Sequence, residues 1–351
     1  MNFTDSQETA MKLIKRWLGT SDKRFVLGGY AGTGKSTIAA HLADIVGDSM
    51  IYLAYTGKAA SVLRGKGCNA STIHSVIYTV IGEDVQGEPV FGLNIESIVK
   101  NYMLVVVDEY SMLPQKIIDD LEKLSRKVLY LGDPFQLPPI LGKCILEPDT
   151  ILTEVHRQAL DSNILRIATD IRLGKKIEHC RYDDFIFDHK RNIDKAEFLK
   201  ADKIIVGYNK TRREWNTRYR QHIGYEGNPR NGDVVICLQN NHEKGLYNGM
   251  TGKIIECENY KWFYQMCIDT ENGIKNIKCF SGIFEGHDVK KYIPDIEKFD
   301  YGYVLSCHKS QGSEWDSVVV YNEPVGQGID RQKWLYTALT RAKTKLILAD
   351  R

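Results

Sequence analysis

At 351 residues, with 43% hydrophobic content, the chain is long enough for about two or three globular domains. Its 47 Lys+Arg against 45 Asp+Glu leave a net charge of +2, which argues neither for nor against nucleic acid because a basic groove can be local. The eight Cys form no C-x-x-C pair, residues 1–7 are polar, and no window approaches the ~18 apolar residues of a membrane span, so no zinc knuckle, redox dithiol, signal peptide or membrane helix is expected, and a reducing cytosol is.

The elements follow in chain order. Short apolar runs at 25–27, 50–54, 103–107 and 128–131 read as buried parallel strands, each ended by a polar or Gly-rich turn, with helix-like stretches such as 37–46 between them. Two apolar segments flank the turn-rich residues 82–89, so 77–93 reads as a hairpin insert. Runs at 203–207, 317–321 and 345–349 form a second set of strands. Between them, 233–238, 252–257, 262–268 and 273–280 alternate with turns, including Asn248-Gly249 and Asn272-Gly273. The expected organisation is α/β: one core over residues 1–150, a second over 151–230 and 294–351, and a small all-β insert of barrel type over 231–293.

Gly29-Tyr30-Ala31-Gly32-Thr33-Gly34-Lys35-Ser36, followed by Thr37, fits the G-x-x-x-x-G-K-[ST] phosphate loop. It follows an apolar strand and opens a helix, the context the motif needs. Its glycines let backbone N–H groups wrap phosphates, and the helix N-terminus adds partial positive charge. Lys35 is expected on the β- and γ-phosphates and Ser36 on Mg²⁺. Asp108 and Glu109 end the run Leu104-Val105-Val106-Val107, which places both carboxylates at the carboxyl edge of the sheet. Asp108 suits the Mg²⁺ shell and Glu109 suits polarising an attacking water.

A phosphate loop alone fits kinases, GTPases, transporters and motors. Three further strings narrow the choice: Leu131-Gly132-Asp133-Pro134-Phe135-Gln136-Leu137-Pro138-Pro139, His308-Lys309-Ser310-Gln311-Gly312-Ser313-Glu314, and Tyr336-Thr337-Ala338-Leu339-Thr340-Arg341-Ala342-Lys343. With Phe3-Thr4-Asp5-Ser6-Gln7, Tyr55-Thr56-Gly57-Lys58-Ala59-Ala60, Ser71-Thr72-Ile73-His74 and Glu154-Val155-His156-Arg157-Gln158, the ordered set resembles a superfamily 1 DNA helicase of the RecD/Dda-like group over nearly the whole chain.

That resemblance implies two RecA-like domains with ATP and Mg²⁺ in the cleft between them, an SH3-like second insert, and 5′-to-3′ movement on single-stranded DNA. It implies that Gln7 reads the base and that Gly312 and Glu314 lie beside the nucleotide. It makes Gln136 a γ-phosphate sensor, and has Arg157 and Arg341 reach the γ-phosphate from the second domain, where a guanidinium fork matches the spreading charge. Thr56, Lys58 and His74 are the expected DNA contacts of the first domain, and His308 and Gln311 those of the second. The hairpin is expected to split duplex and the insert to brace it. Phe91 either stands against the last base pair or packs inside the hairpin base. The cluster Lys210, Arg212, Arg213, Arg218 and Arg220 is either part of the track or a solvated face, and Trp215 either core or a base-stacking ring.

Tyr55 departs from the proline usual in motif Ia. No separate acidic cluster suggests a nuclease, and the chain is compact for the group. Implied partners are single-stranded DNA, junctions, and replication or recombination proteins, with a monomer as the expected state. A translocase that strips proteins but unwinds poorly shares every motif; a non-motor switch that keeps the phosphate loop stays open as a third reading.

Overall fold

The structure is a computed structural model describing residues 3–83, 89–139, 144–154, 162–241, 244–287, 293 and 295–350. Helix α1 (Asp5–Leu18) starts at Thr4. The Thr4 hydroxyl accepts from the Gln7 N–H while the Gln7 side chain accepts from the Thr4 N–H, a reciprocal cap that fixes the helix start.

The apolar runs become β1 (Arg24–Gly29), β2 (Met50–Ala54) and β3 (Ala70–Thr72), then the hairpin strands β4 (Tyr78–Glu83) and β5 (Pro89–Leu93), then β6 (Leu104–Asp108), β7 (Val128–Gly132) and β8 (Thr150–Leu152). Helices α2 (Lys35–Val46), α3 (Gly57–Gly65), α4 (Ile73–Ile77) and α5 (Gln115–Leu124) connect them. Apart from the separate hairpin, the strands form one sheet in the order β3-β2-β6-β7-β1-β8, every pairing parallel. Alternate residues serve opposite faces. Val26, Val105 and Val107 pack toward α4 and α5, while Phe25, Leu27, Leu104 and Val106 pack toward α1 and α2. Burial on both faces explains the unbroken apolar runs. This core runs past the expected end at residue 150, because Thr150–Leu152 still pairs with Leu27–Gly29.

The second core contains α6 (Asn163–Arg172), β9 (Cys180–Arg181), β10 (Phe185–His189), α7 (Lys195–Lys200), β11 (Lys203–Val206) and α8 (Asn209–His222). The insert follows as β12 (Val234–Cys237), β13 (Thr251–Asn259), β14 (Phe263–Thr270), β15 (Gly273–Phe280), β16 (Ile296–Glu297) and β17 (Phe299–Tyr301). The core resumes with β18 (Val304–Ser306), α9 (Cys307–Ser310), β19 (Trp315–Tyr321), α10 (Gly328–Leu339) and β20 (Ala342–Asp350). Its sheet has the order β18-β11-β19-β20-β10-β9 and is parallel except at β9.

The insert is a sheet in the order β16-β15-β14-β13-β12-β17, with its own apolar core. It extends past the expected boundary at 293 to Tyr301, because β16 and β17 cover its two edges. Strands this short leave no periodic signal in sequence. Two buried ion pairs tie the insert region to α8: Arg220 holds Asp233 through bonds of 2.8 and 2.9 Å, and Arg212 lies 2.8 Å from Asp300. The chain is thus two RecA-like α/β cores with a hairpin in the first and an SH3-like β insert in the second.

Candidate functional site

The phosphate loop, Asp133 and Asp108 sit at the carboxyl ends of three neighbouring strands, β1, β7 and β6. Parallel order alone converges them. The loop turns through left-handed glycines, Gly32 at φ +75° and Gly34 at φ +85°. At Gly29 a Cβ would fall 2.8 Å from the Thr33 hydroxyl and 2.9 Å from Cγ of Lys35, so the cradle admits only glycine. Lys35 Nζ donates to the carbonyls of Gly29 at 2.6 Å and Tyr30 at 3.2 Å, holding the ammonium inside the loop. Gln7, wholly buried, donates to the Thr33 carbonyl at 3.0 Å. Its immediate task is therefore to tie the start of α1 to the phosphate loop.

Ser36, in the first turn of α2, and Asp108 line the same pocket. Asp108 and Glu109 keep some contact with solvent, yet protein crowds both closely. Burial raises the Asp108 carboxyl above its ordinary range, opposed chiefly by the nearby Lys35 charge. Burial, then the charge of Asp108, pushes Glu109 up to about 7, against the pull of Arg341 and Lys35. Glu109 adopts a left-handed backbone, φ 57°, and its Oε2 is buried without a partner among the described residues. Gln136 is likewise buried, and its Oε1 has no partner among the described residues. Unpartnered buried acceptors beside a glycine-only cradle fit a site shaped for a polar phosphate ligand with its water and cation.

The second core closes over this edge. The Tyr336 hydroxyl, on α10, accepts from the Ala31 N–H at 2.9 Å and donates to Asp133 Oδ2 at 2.5 Å. Thr337 Oγ1 accepts from Leu137 N–H at 3.0 Å, and Gln311 Nε2 donates to the Leu137 carbonyl at 3.0 Å. Arg172, at the end of α6, lies 3.7 Å over the Tyr30 ring. Arg341 is buried, with bonds to the Thr337 and Ser313 carbonyls and the Thr340 hydroxyl. Its charge still reaches Glu109. Glu314 lies near enough to act on Asp108, while remaining exposed. Gly312, at φ +72°, abuts Thr56 and Ala59 on the motif Ia helix. Arg157 falls outside the described residues. Asp133, Tyr336 and Arg172 were given no role from sequence. The first two stand inside the quoted motifs, whereas nothing in the sequence around Arg172 marks it.

A second concavity crosses both cores. A pocket of about 320 Å³ is lined by Tyr55, Thr56 and Lys58 from the first core, His308, Lys309 and Gln311 from the second, and the insert turn Asn248-Gly249. Thr56 caps α3, accepting from Ala59 N–H at 3.2 Å. Lys58 stands 5.5 Å over the Trp315 ring, and burial holds its ammonium below the usual range. Burial, with Arg212, lowers Lys309 to about 8. His74 packs 5.6 Å from Tyr55 and 5.6 Å from Tyr78, so a row of rings runs from the pocket to the foot of the hairpin. Phe91 is 60% exposed on the hairpin, opposite Val80, which removes the reading that packs it inside the base. The insert touches the first core at α3: the Tyr247 ring fills the space beside Gly57, and Ser61 bonds Asn272 at 2.9 Å. Trp215 is partly buried between Phe198 and Tyr321, Arg212 and Arg220 are held in buried ion pairs, and among the described residues none of α8 lines this pocket.

Residues 2–186 match the family described as AAA domain, and residues 301–349 match the UvrD-like helicase C-terminal domain. The chain belongs to the superfamily 1 helicases of the RecD-like group. It is 26% identical to the ATP-dependent RecD2 DNA helicase of Deinococcus radiodurans over 92% of this chain and 46% of that protein. It is 24% identical to the RecBCD enzyme subunit RecD of Mycolicibacterium smegmatis over 92% of this chain and 67% of that protein. This RecD-like chain thus spans less than half of the RecD2 protein. Its fold is that of the Pif1 helicase from Bacteroides in complex with ADP-AlF3 and ssDNA (TM-score 0.61, 18% identity, 99% of this chain and 92% of that one). Pif1 helicase from Candida albicans is similar, with TM-score 0.59 and 17% identity over 99% and 94% of the two chains. Among the described residues, no helix is long and apolar enough to cross a membrane.

Proposed function

We propose that this chain is an ATP-dependent DNA helicase that moves 5′ to 3′ on single-stranded DNA and hydrolyses Mg-ATP between its two RecA-like cores. One observation carries the reading. Tyr336, from the second core, bonds both the phosphate-loop amide of Ala31 and the motif III carboxylate of Asp133. Events at the triphosphate are thereby tied to the relative position of the cores that share the DNA groove.

In this reading Lys35 and the loop amides hold the phosphates. Ser36 and Asp108 would hold Mg²⁺, which when bound neutralises phosphate charge. Glu109, titrating near neutrality, orients the water and takes its proton. Gln136 and Arg341 sense and stabilise the γ-phosphoryl group, with Arg157 as the second arginine. Gln7 and Glu314 complete the nucleotide site, while Thr56, Lys58, His74, His308 and Gln311 contact the strand, with Gly312, expected at the nucleotide, packed instead against Thr56. The exposed apolar side chains of Val80, Ile81 and Phe91 on the hairpin favour duplex splitting over bare translocation. Its eight cysteines are all unbridged, which suits work in a reducing cytosol on single strands and junctions, as a monomer.

Strand displacement on forked, 5′-tailed and 3′-tailed duplexes tests activity and polarity together, run beside ATPase assays with and without single-stranded DNA. Unwinding of the forked and 5′-tailed substrates with DNA-stimulated hydrolysis is expected. Equal hydrolysis with and without DNA overturns the motor, and unwinding from 3′ tails alone reverses the polarity.

A further inference from the structure

The second RecA-like sheet turns its two faces to different neighbours. Phe187, Ile205 and Val320 face α6 and α10, the helices that meet the phosphate loop. Ile186, Ile204 and Val319 face the other way, where Phe198 of α7 and Trp215 and Tyr219 of α8 cover them. On this outer face, between α7 and α8, lies a pocket of about 380 Å³. Neither the nucleotide cleft nor the DNA groove uses any of its residues.

The lining of this pocket is one-sided. Its floor is apolar, from Ile193, Phe198, Leu199 and Ile204, and its charged residues are Lys190, Lys195 and Arg218, with His222 beside them. Among the described residues no carboxylate lines it, and none pairs with Lys190, Lys195 or Arg218. Burial, helped by the charge of Arg218, holds Lys190 below its usual range, so an anion here would relieve repulsion rather than compete with an existing pair.

Aromatic residues beside cations also suit single-stranded nucleic acid, but base stacking needs a free ring face. Here the faces are taken. Trp215 packs 5.7 Å from Phe198 and 5.0 Å from Tyr321, with the Lys190 ammonium 4.8 Å above it. Tyr219 stacks on Tyr303 at 4.8 Å, and its hydroxyl donates to the Leu199 carbonyl at 3.1 Å. What remains is concave apolar space ringed by cations with no carboxylate partner among the described residues, at the small end of the ~300–1,000 Å³ range of ligand sites.

We propose that this pocket docks an acidic segment of a partner protein, which inserts one bulky apolar side chain between α7 and α8 while its carboxylates pair with Lys190, Lys195 and Arg218. The apolar anchor supplies affinity, and the cations supply attraction and selection. Because the pocket lies on the sheet face turned away from α6 and α10, such a partner can stay bound through the hydrolysis cycle.

The test uses the full chain and a fluorescein-labelled aspartate-rich peptide ending in Leu-Phe, followed by fluorescence polarisation. Saturable binding is expected, weakened ~10-fold or more by Arg218→Glu and by Lys195→Glu, as for charge reversal at a contact rim. Both side chains are exposed, so DNA-stimulated ATPase of the two variants should equal that of the parent and report an intact fold. The same peptide with both terminal residues changed to alanine should bind far more weakly. Absence of binding, equal binding by both variants, or equal binding of the alanine peptide overturns the proposal. So does labelled oligothymidylate, if Arg218→Glu weakens its binding and that of the peptide is unchanged.

Discussion

Glu109 combines two costly features at one position. A non-glycine residue at φ 57° stores roughly 1–3 kcal/mol of backbone strain. Its carboxyl, crowded by protein and by Asp108, titrates at about 7 rather than at 4.5. Such a group is half ionised near neutrality, where a base both accepts a proton and is available to do so. Turnover should therefore rise with pH along a limb centred near 7, and Glu109→Gln should abolish turnover while nucleotide binding survives. Stability carries the opposite sign. The folded carboxyl keeps its proton up to about 7 while the unfolded one loses it near 4.5, so ionisation costs stability as pH rises through that window. Urea titrations at pH 8 should find Glu109→Gln more stable than the parent by ~1–3 kcal/mol, and no more stable at pH 4. Equal stability at both would mean that Glu109 titrates like an ordinary surface carboxylate.

At the scale of elements, the long buried strands were legible because burial on both faces forces unbroken apolar runs. The phosphate loop was legible because its glycines have no substitute. The insert was visible in part, through β13, β14 and β15 and their turn at Gly273 (φ +87°). Its edge strands were not, since β16 and β17 are held by pairing partners distant in sequence and not by any pattern of their own. The roles of Arg212 and Arg220 on α8 could not be resolved from spacing, because their partners Asp300 and Asp233 lie in the insert region. Two predictions belong here. Asp233→Ala strands the buried Arg220 guanidinium and should cost ~3–5 kcal/mol in urea denaturation, far beyond an exposed pair such as Lys175 with Asp170. Phe91→Ala removes an exposed apolar tip from the hairpin and should lower unwinding while DNA-stimulated ATPase stays intact. Unwinding at the parental rate would take Phe91 out of the wedge and leave the translocase reading ahead.

For the molecule as a whole, sequence motifs supplied both halves of the cleft but not the bonds between them. Asp133 and Tyr336 are 203 positions apart, and their contact depends on how two cores meet. Only the structure shows that one hydroxyl serves the phosphate loop and motif III together. Tyr336→Phe isolates that bridge. The ring keeps its edge contact with Phe135, 5.3 Å between centroids, so packing persists. Asp133, wholly buried, loses a donor at 2.5 Å, and its carboxyl, already raised by burial, should rise further. A hydrogen bond to a charged group is worth ~1.5–3 kcal/mol, so closure of the cores should weaken by roughly ten-fold or more. In the proposed function nucleotide affinity of the first core rests on Lys35 and the loop, and it should change little. Stimulation by single-stranded DNA requires closure and should fall. The measurement is therefore the ratio of ATPase rates with and without DNA, set beside binding of a fluorescent nucleotide. Loss of both would mean that the bridge merely holds the loop in shape, and retention of full stimulation would mean that closure is transmitted elsewhere. Asp133→Asn then distinguishes bridge from bystander. If Tyr336 and Asp133 act as one unit, the double variant should lose no more stimulation than either single one.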